Sequence, residues 1–236
     1  IADPEGCGRF TARVISGIHV TESPAWMAER LTRAGMRPIN NVVDASNYVM
    51  LELGQPTHTY DLAELPGGAL RVRWAADGET ITTLDCVERT LVGGRDGVIA
   101  DGDDVAVAIA GVMGGASTEI CERTASVLLE CAWWRPMAVA VSSKHLGLRS
   151  EASARFERGT DPDVVDLAAR RLAELLAPSG ARLVEGAVTV DVPGGDGERG
   201  RHQHHRSLCG LHARLAHHGH AVGDGFYTGI RPAAER

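Results

Sequence analysis

Between residues 69 and 111 five short β-prone runs follow one another: ALRVRW (69–74), TITTLD (80–85), RTLV (89–92), GVIAD (97–101) and VAVAIAG (105–111). Each is closed by a turn signal within a few residues, and such close spacing predicts a compact mixed or antiparallel β array. FTARVISGIHV (10–20) alternates and is β-branched, so it reads as a strand. SVLLECA (126–132) reads as a buried strand and RLVEGAVTV (182–190) as a last one. Helical patterns flank these runs. In SPAWMAERLTRAG (23–35) Ser23 is the expected cap, Pro24 suits the first turn, Met27, Leu31 and Ala34 share a face, and Gly35 ends the helix. NVVDASNYVMLELG (41–54) predicts a second helix, with Val43, Ser46, Met50 and Leu53 along one side. RPMAVAVSSKHLG (135–147) reads as a helix closed by Gly147. The clearest helix is TDPDVVDLAARRLAELLAPSG (160–180), with Asp161 as cap, Pro162 at its first position, and Val165, Ala168, Leu172 and Leu175 toward the core. The expected class is α+β, with mixed or antiparallel strands and flanking helices over residues 7–191.

Composition narrows the function. Hydrophobic residues make up 44% of the 236 and aromatic ones 4%, so the core is aliphatic. Residues 1–191 hold 18 Lys and Arg against 27 Asp and Glu, a balance of −9, while the last 45 residues hold 6 against 4. An acidic body argues against broad binding of a phosphate backbone, which Lys and Arg drive. It leaves room for one nucleic-acid end in a local pocket. Five cysteines without a CxxC pair form neither a disulfide framework nor a zinc ribbon, and read as reduced thiols in a cytoplasmic protein. The longest apolar run, VAVAIAGVM (105–113), is far shorter than the roughly 18 residues of a spanning helix. No membrane partner is expected. A first residue of Ile1 rather than Met suggests a fragment.

Beyond DVPGGDGERG the pattern changes, and residues 192–236 carry seven of the ten histidines with little periodicity. A His-rich metal tract, a disordered tail and an out-of-frame translation product are the three readings. Arg, His, Gly and Ala are what a GC-rich gene yields in the wrong frame, and the other two frames of the coding DNA test that reading.

Four segments hold polar residues that the fold alone does not require. Asn47 lies in a helix whose end leads past the Gln55–Pro56 corner to His58, so the two are expected to face one pocket; alone, His58 also reads as an ordinary loop histidine. AGVMGG (110–115) bares backbone amides at Gly114 and Gly115, or is a plain tight turn. It lacks the spacing of a P-loop or a dinucleotide fingerprint. Glu130 ends an apolar strand, where a carboxylate is costly without a partner; Arg135 is one candidate counter-ion. In LGLRSEASARFERGTDP (146–162) small residues, Ser150 and Ala152 among them, alternate with charges. That segment is either a pocket wall or a salt-bridged surface.

Taken together, RPINNVVDASNYVMLELGQPTHTYDL, AGVMGG, VLLECAWWRP and LGLRSEASARFERGTDP resemble, in order and spacing, the B3/B4 domain of bacterial phenylalanyl-tRNA synthetase β subunits. The match runs from about Cys7 to Leu176. The resemblance implies an α+β editing module that hydrolyses tyrosine mistakenly esterified to the 3′ end of tRNA(Phe). It implies that His58 lies near the ester and terminal ribose with Asn47 beside it. Glu130 is then the acceptor for the tyrosine hydroxyl, helped by backbone at Gly114 and Gly115, and Ser150 and Ala152 line the pocket. The family usually has threonine at the Ser150 position. No metal or other cofactor is implied for this chain; ATP and Mg belong to the full αβ enzyme. The implied partners are the tRNA(Phe) 3′ end and the α subunit. A free-standing deacylase acting in trans, and a non-catalytic remnant that binds the α subunit, are the alternatives. The tail has no counterpart in the resemblance.

Overall fold

Helices, a first antiparallel sheet and a second antiparallel sheet form three successive layers in the computed structural model, which describes residues 1–2 and 6–192. The chain opens with β1 (Cys7–Ser16), then α1 (Ala25–Arg33) and α2 (Asn41–Leu53). A strand absent from the sequence reading follows, β2 (Thr57–Asp61). The predicted β array appears as β3 (Arg71–Trp74), β4 (Thr80–Thr82), β5 (Glu88–Thr90), β6 (Gly97–Ala100), β7 (Ala106–Ile109) and β8 (Met113–Gly114). Then come β9 (Ser126–Trp134), α3 (Pro136–His145), α4 (Glu151–Phe156), α5 (Val165–Leu176), β10 (Arg182–Leu183) and β11 (Val188–Asp191).

The first sheet runs β10-β1-β9-β2, with β11 also on β1, and the second runs β3-β6-β7-β8; β4 and β5 form a separate hairpin inserted between β3 and β6. All strand pairings among the described residues are antiparallel, one of the two arrangements, mixed or antiparallel, that the turn spacing predicts. The spine is β9, paired on one side with β1 and on the other with β2. Side chains alternate across a strand. Val127, Leu129 and Cys131 accordingly pack with α1, α2 and α5, while Leu128, Ala132 and Trp134 face the second sheet. A strand covered on both faces reads as a continuous apolar run, which explains VLLECAWW.

Several local expectations shift. Ser23 does not cap α1; Pro24 is the N-cap residue, and the Ser23 hydroxyl donates to buried Asp44 Oδ2 at 2.5 Å. The cap of α2 is Asn40, whose side chain accepts from the N–H groups of Val42 and Val43. The buried face of α2 comprises Val42, Ala45 and Val49 with Met50, and leaves Val43, Ser46 and Leu53 at its margin. The apolar pattern there admits either face, and the position of the β9 side chains selects one. Asp161 does cap, accepting from Asp163 N–H at 2.9 Å, but a short 3₁₀ turn (Pro162–Val164) precedes α5. The core face of α5 ends on Leu176, not Leu175. RLVEGAVTV divides into β10 and β11, each on β1. The tail from 193 onward lies outside the described residues.

The two leucines of α5 should differ in their contribution to stability. Leu172 is fully buried and Leu175 is not. Leu172→Ala should cost about 2–5 kcal/mol in urea unfolding, with Leu175→Ala costing markedly less. Equal losses would contradict the observed face.

Candidate functional site

A cleft of about 400 Å³, counting its open mouth, lies between the two sheets. Its walls are aliphatic and small: Ile99, Ala108, Ile109, Val112 and Met113 from the second sheet and its turn, Ala152 and Phe156 from α4. Among the described residues, the titratable side chains lining it are His58 and Glu130.

Strand pairing places these two together. His58 and Glu130 are direct partners in the β2–β9 ladder, on the face turned toward the second sheet. THTYD was legible as a loop because Thr, His and Asp are common there; its strand character comes from pairing with β9. Gln55, fully buried, fixes the entry to β2 by donating from Nε2 to the carbonyls of Pro56 and Ala132, at 3.0 and 2.8 Å. Ser46 of α2 donates to the Thr57 carbonyl at 2.7 Å.

The electrostatics follow from the apolar walls. Burial lowers the His58 pKa to about 4, so the imidazole is neutral at pH 7. Burial raises Glu130 to about 7, opposed by a hydrogen bond from Tyr60. The Tyr60 hydroxyl donates to Glu130 Oε2 at 2.5 Å. Burial first, and the Glu130 charge second, hold the Tyr60 phenol well above its usual range. The Tyr60 ring meets His58 edge to face, with centroids 4.5 Å apart. Arg135 forms no ion pair with Glu130 among the described residues; it precedes α3 at the N-cap, and Tyr60 is the partner.

Gly114 carries no side chain for a steric reason. A Cβ there would lie 2.4 Å from Cε1 and 2.5 Å from Nε2 of His58. The imidazole therefore rests on bare backbone. Gly115 donates its N–H to the Val107 carbonyl at 2.7 Å, so that amide is not bare, contrary to expectation. Alternation along an antiparallel ladder then points the Gly114 N–H and C=O away from β7, and the carbonyl accepts from Leu84 N–H. Of the two expected amides, Gly114 is the one left free by the ladder. The preceding turn is tight, with Val112 N–H on the Ile109 carbonyl and Gly111 at φ +68°.

His58, Glu130, Gly114 and Ala152 thus line one cleft, whereas Gly115, Ser150 and Asn47 do not. Ser150 is the N-cap of α4; its side chain accepts from Ser153 N–H and donates to the Val112 carbonyl at 2.6 Å, holding a cleft wall. Asn47 is part-exposed on α2, which packs on the opposite face of the first sheet. Tyr60, Gln55 and Phe156 were not singled out by the sequence; a phenol two residues from His58 on the same strand face was the available signal for Tyr60. Among the described residues no three His, Cys, Asp or Glu side chains are grouped to hold a metal ion, and no helix is long and apolar enough to cross a membrane.

Comparison with known proteins adds the context. The B3/4 domain family model matches residues 6–180. The phenylalanine–tRNA ligase beta subunit of Anaeromyxobacter dehalogenans is 52% identical over 177 residues, 75% of this chain and 22% of that protein. The corresponding subunit of Geobacter metallireducens is 47% identical over 191 residues, 80% of this chain and 24% of that protein. This chain therefore spans about a quarter of the length of these relatives. An N-terminal fragment of the phenylalanyl-tRNA synthetase beta subunit from Pyrococcus horikoshii superposes with a TM-score of 0.49 at 11% identity, covering 76% of this chain and 49% of that one.

Proposed function

The chain belongs to the B3/4 domain family, and from that premise we propose that its cleft hydrolyses tyrosine wrongly esterified to the 3′ end of tRNA(Phe). The observation that carries this reading is Glu130, a carboxylate with one oxygen held by Tyr60 and no protein donor on the other among the described residues, facing an otherwise apolar cleft. Tyrosine and phenylalanine differ by one hydroxyl. A pocket that measured only size would pass both. A desolvated acceptor is satisfied by the tyrosine phenol and left unpaired by phenylalanine. Sites built to hydrogen-bond a substrate hydroxyl discriminate by up to roughly 10⁴–10⁵.

An aminoacyl ester is already activated, so the chemistry asks for a placed water and a stabilised oxyanion. Water attacks the ester carbonyl carbon, the carbon–oxygen bond to the terminal ribose breaks, and the proton lost by the water passes to the ribose oxygen. Free tyrosine and uncharged tRNA result. Neutral His58 has a ring nitrogen able to accept a hydrogen bond from that water or from the ribose hydroxyl. The outward Gly114 N–H suits the developing oxyanion. Ser150 holds the Val112 turn at the margin of the pocket, and Ala152 leaves space for the side chain. The reaction as written uses no cofactor. ATP and Mg serve aminoacylation, in which this chain would take part only with the α subunit and the β domains that its relatives possess in addition.

The test is deacylation of Tyr-tRNA(Phe) and Phe-tRNA(Phe) by the purified chain and by Glu130→Ala. The expected result is preferential cleavage of the tyrosyl ester, with that preference lost in the variant. Cleavage of neither ester above the buffer rate would overturn the reading for this chain and favour a remnant that binds the α subunit.

A further inference from the structure

The Tyr60 hydroxyl already occupies one oxygen of the carboxylate proposed to receive the substrate hydroxyl. Tyr60 and Glu130 are both buried, and their hydrogen bond of 2.5 Å is the contact that the carboxylate receives from the protein. The bond fixes Oε2 and thereby the rotation of the whole carboxylate. Oε1 is neither hydrogen-bonded to a described residue nor sealed from solvent, and Glu130 lines the cleft. The Tyr60 ring is in turn braced edge to face by His58.

We infer that Tyr60 is a positioning residue for recognition: its phenol holds Glu130 with a single oxygen presented to the cleft, so that the pocket selects one hydroxyl donor. This rests on the reading of the cleft as a tyrosine-selective site. The chemical logic is that of a half-filled acceptor. A free buried carboxylate would rotate, accept water, or take up a proton and become a donor. A carboxylate held by one phenol keeps its charge more readily, because a hydrogen bond to the ionised form favours that form. Charge-assisted hydrogen bonds are about twice as strong as neutral ones. Selectivity for a hydroxyl should therefore rise with pH as Glu130 ionises, around pH 7 in the parent chain. His58, the other titratable group lining the cleft, changes charge near pH 4 and is silent in that window. The Tyr60 phenol, raised by burial, stays protonated throughout.

The experiment compares the full chain with Tyr60→Phe, which deletes one oxygen and keeps the ring against His58. Two readouts are taken from pH 5 to 9: binding of L-tyrosinamide and L-phenylalaninamide, and the titration of Glu130 by ¹³C NMR of glutamate-labelled protein. The variant should bind tyrosinamide about tenfold more weakly at pH 7 and phenylalaninamide as before, with the Glu130 titration moved upward. In a Glu130→Gln background, Tyr60→Phe should cause no further change, because Tyr60 acts through the carboxylate. Should Tyr60→Phe fail to fold, 3-fluorotyrosine incorporation supplies a more acidic phenol of nearly the same size, and the Glu130 titration should then move downward. Unchanged tyrosinamide binding together with an unmoved titration overturns the inference. A moved titration and weakened binding without tyrosyl-ester hydrolysis by the parent chain uphold the positioning role and overturn the hydrolytic reading alone.

Discussion

Gly114→Ala should lower tyrosyl-ester hydrolysis by at least about 100-fold and destabilise the chain by about 1–3 kcal/mol. The added methyl would sit 2.4 Å from His58 Cε1, 2.5 Å from Nε2 and 3.2 Å from Leu84 Cδ1. Backbone strain is not the cause, since φ at Gly114 is not in the left-handed region. The ring has to swing off its seat, and a displacement of about 1 Å at a reacting group costs on the order of 100-fold. A second substitution separates sterics from fold. His58→Ala in the Gly114→Ala background removes the clash, so stability should recover relative to Gly114→Ala alone while activity stays lost. If Gly114→Ala retains full hydrolysis, the imidazole seen against Gly114 has no part in the reaction.

The second large effect is a pair of opposed pH dependences. His58 has its pKa lowered by burial from 6.5 to about 4. Between those values the unfolded chain binds the extra proton, so this group's stability is present above pH 6.5 and is lost as pH falls toward 4. Glu130 is raised from 4.5 to about 7. There the folded chain binds the extra proton, so stability is highest below pH 4.5 and is lost as pH rises through 7. Each shift corresponds to about 3 kcal/mol. The two slopes oppose one another between about pH 4.5 and 6.5 and largely cancel in the parent chain. Removing either group exposes the other. Relative to the parent, Glu130→Gln should gain stability progressively from pH 4.5 to 7, and His58→Gln should gain it as pH falls from 6.5 to 4. Urea midpoints measured at each pH decide it. Variant and parent curves that run parallel would show that the two groups do not carry these shifts in the folded chain.

The layers of this fold were largely readable from residue patterns, because the strand runs at 69–111 and the helix at 160–180 carry their own start and stop signals. The site was readable only in part. His58 and Glu130 stood out as polar residues in costly places, yet nothing local states that THTYD is a strand. Pairing with β9 makes it one, and that information lies some seventy positions away. The partner of Glu130 was missed for the same reason: Arg135 is near in sequence, whereas Tyr60 is near across the ladder. The Gly115 amide was expected to be free because glycine permits exposure; whether an amide is in fact free depends on ladder phase, which a glycine pair does not encode. Asn47 illustrates the converse error. Proximity of a helix end to His58 suggested a shared pocket, and the helix packs on the other side of the sheet.

The two-faced strand β9 has a consequence for error tolerance. A slip of one residue in its register exchanges its faces. Cys131, a thiol that burial makes reluctant to ionise, would enter the cleft, and Glu130 would be driven among the side chains around Val127 and Leu129 without the Tyr60 donor. The misaligned chain would lose its acceptor and gain an unpaired buried carboxylate at once. Mispaired conformers are therefore penalised by the same group that would read the substrate, and a chain stable enough to persist is one whose selector is already in place.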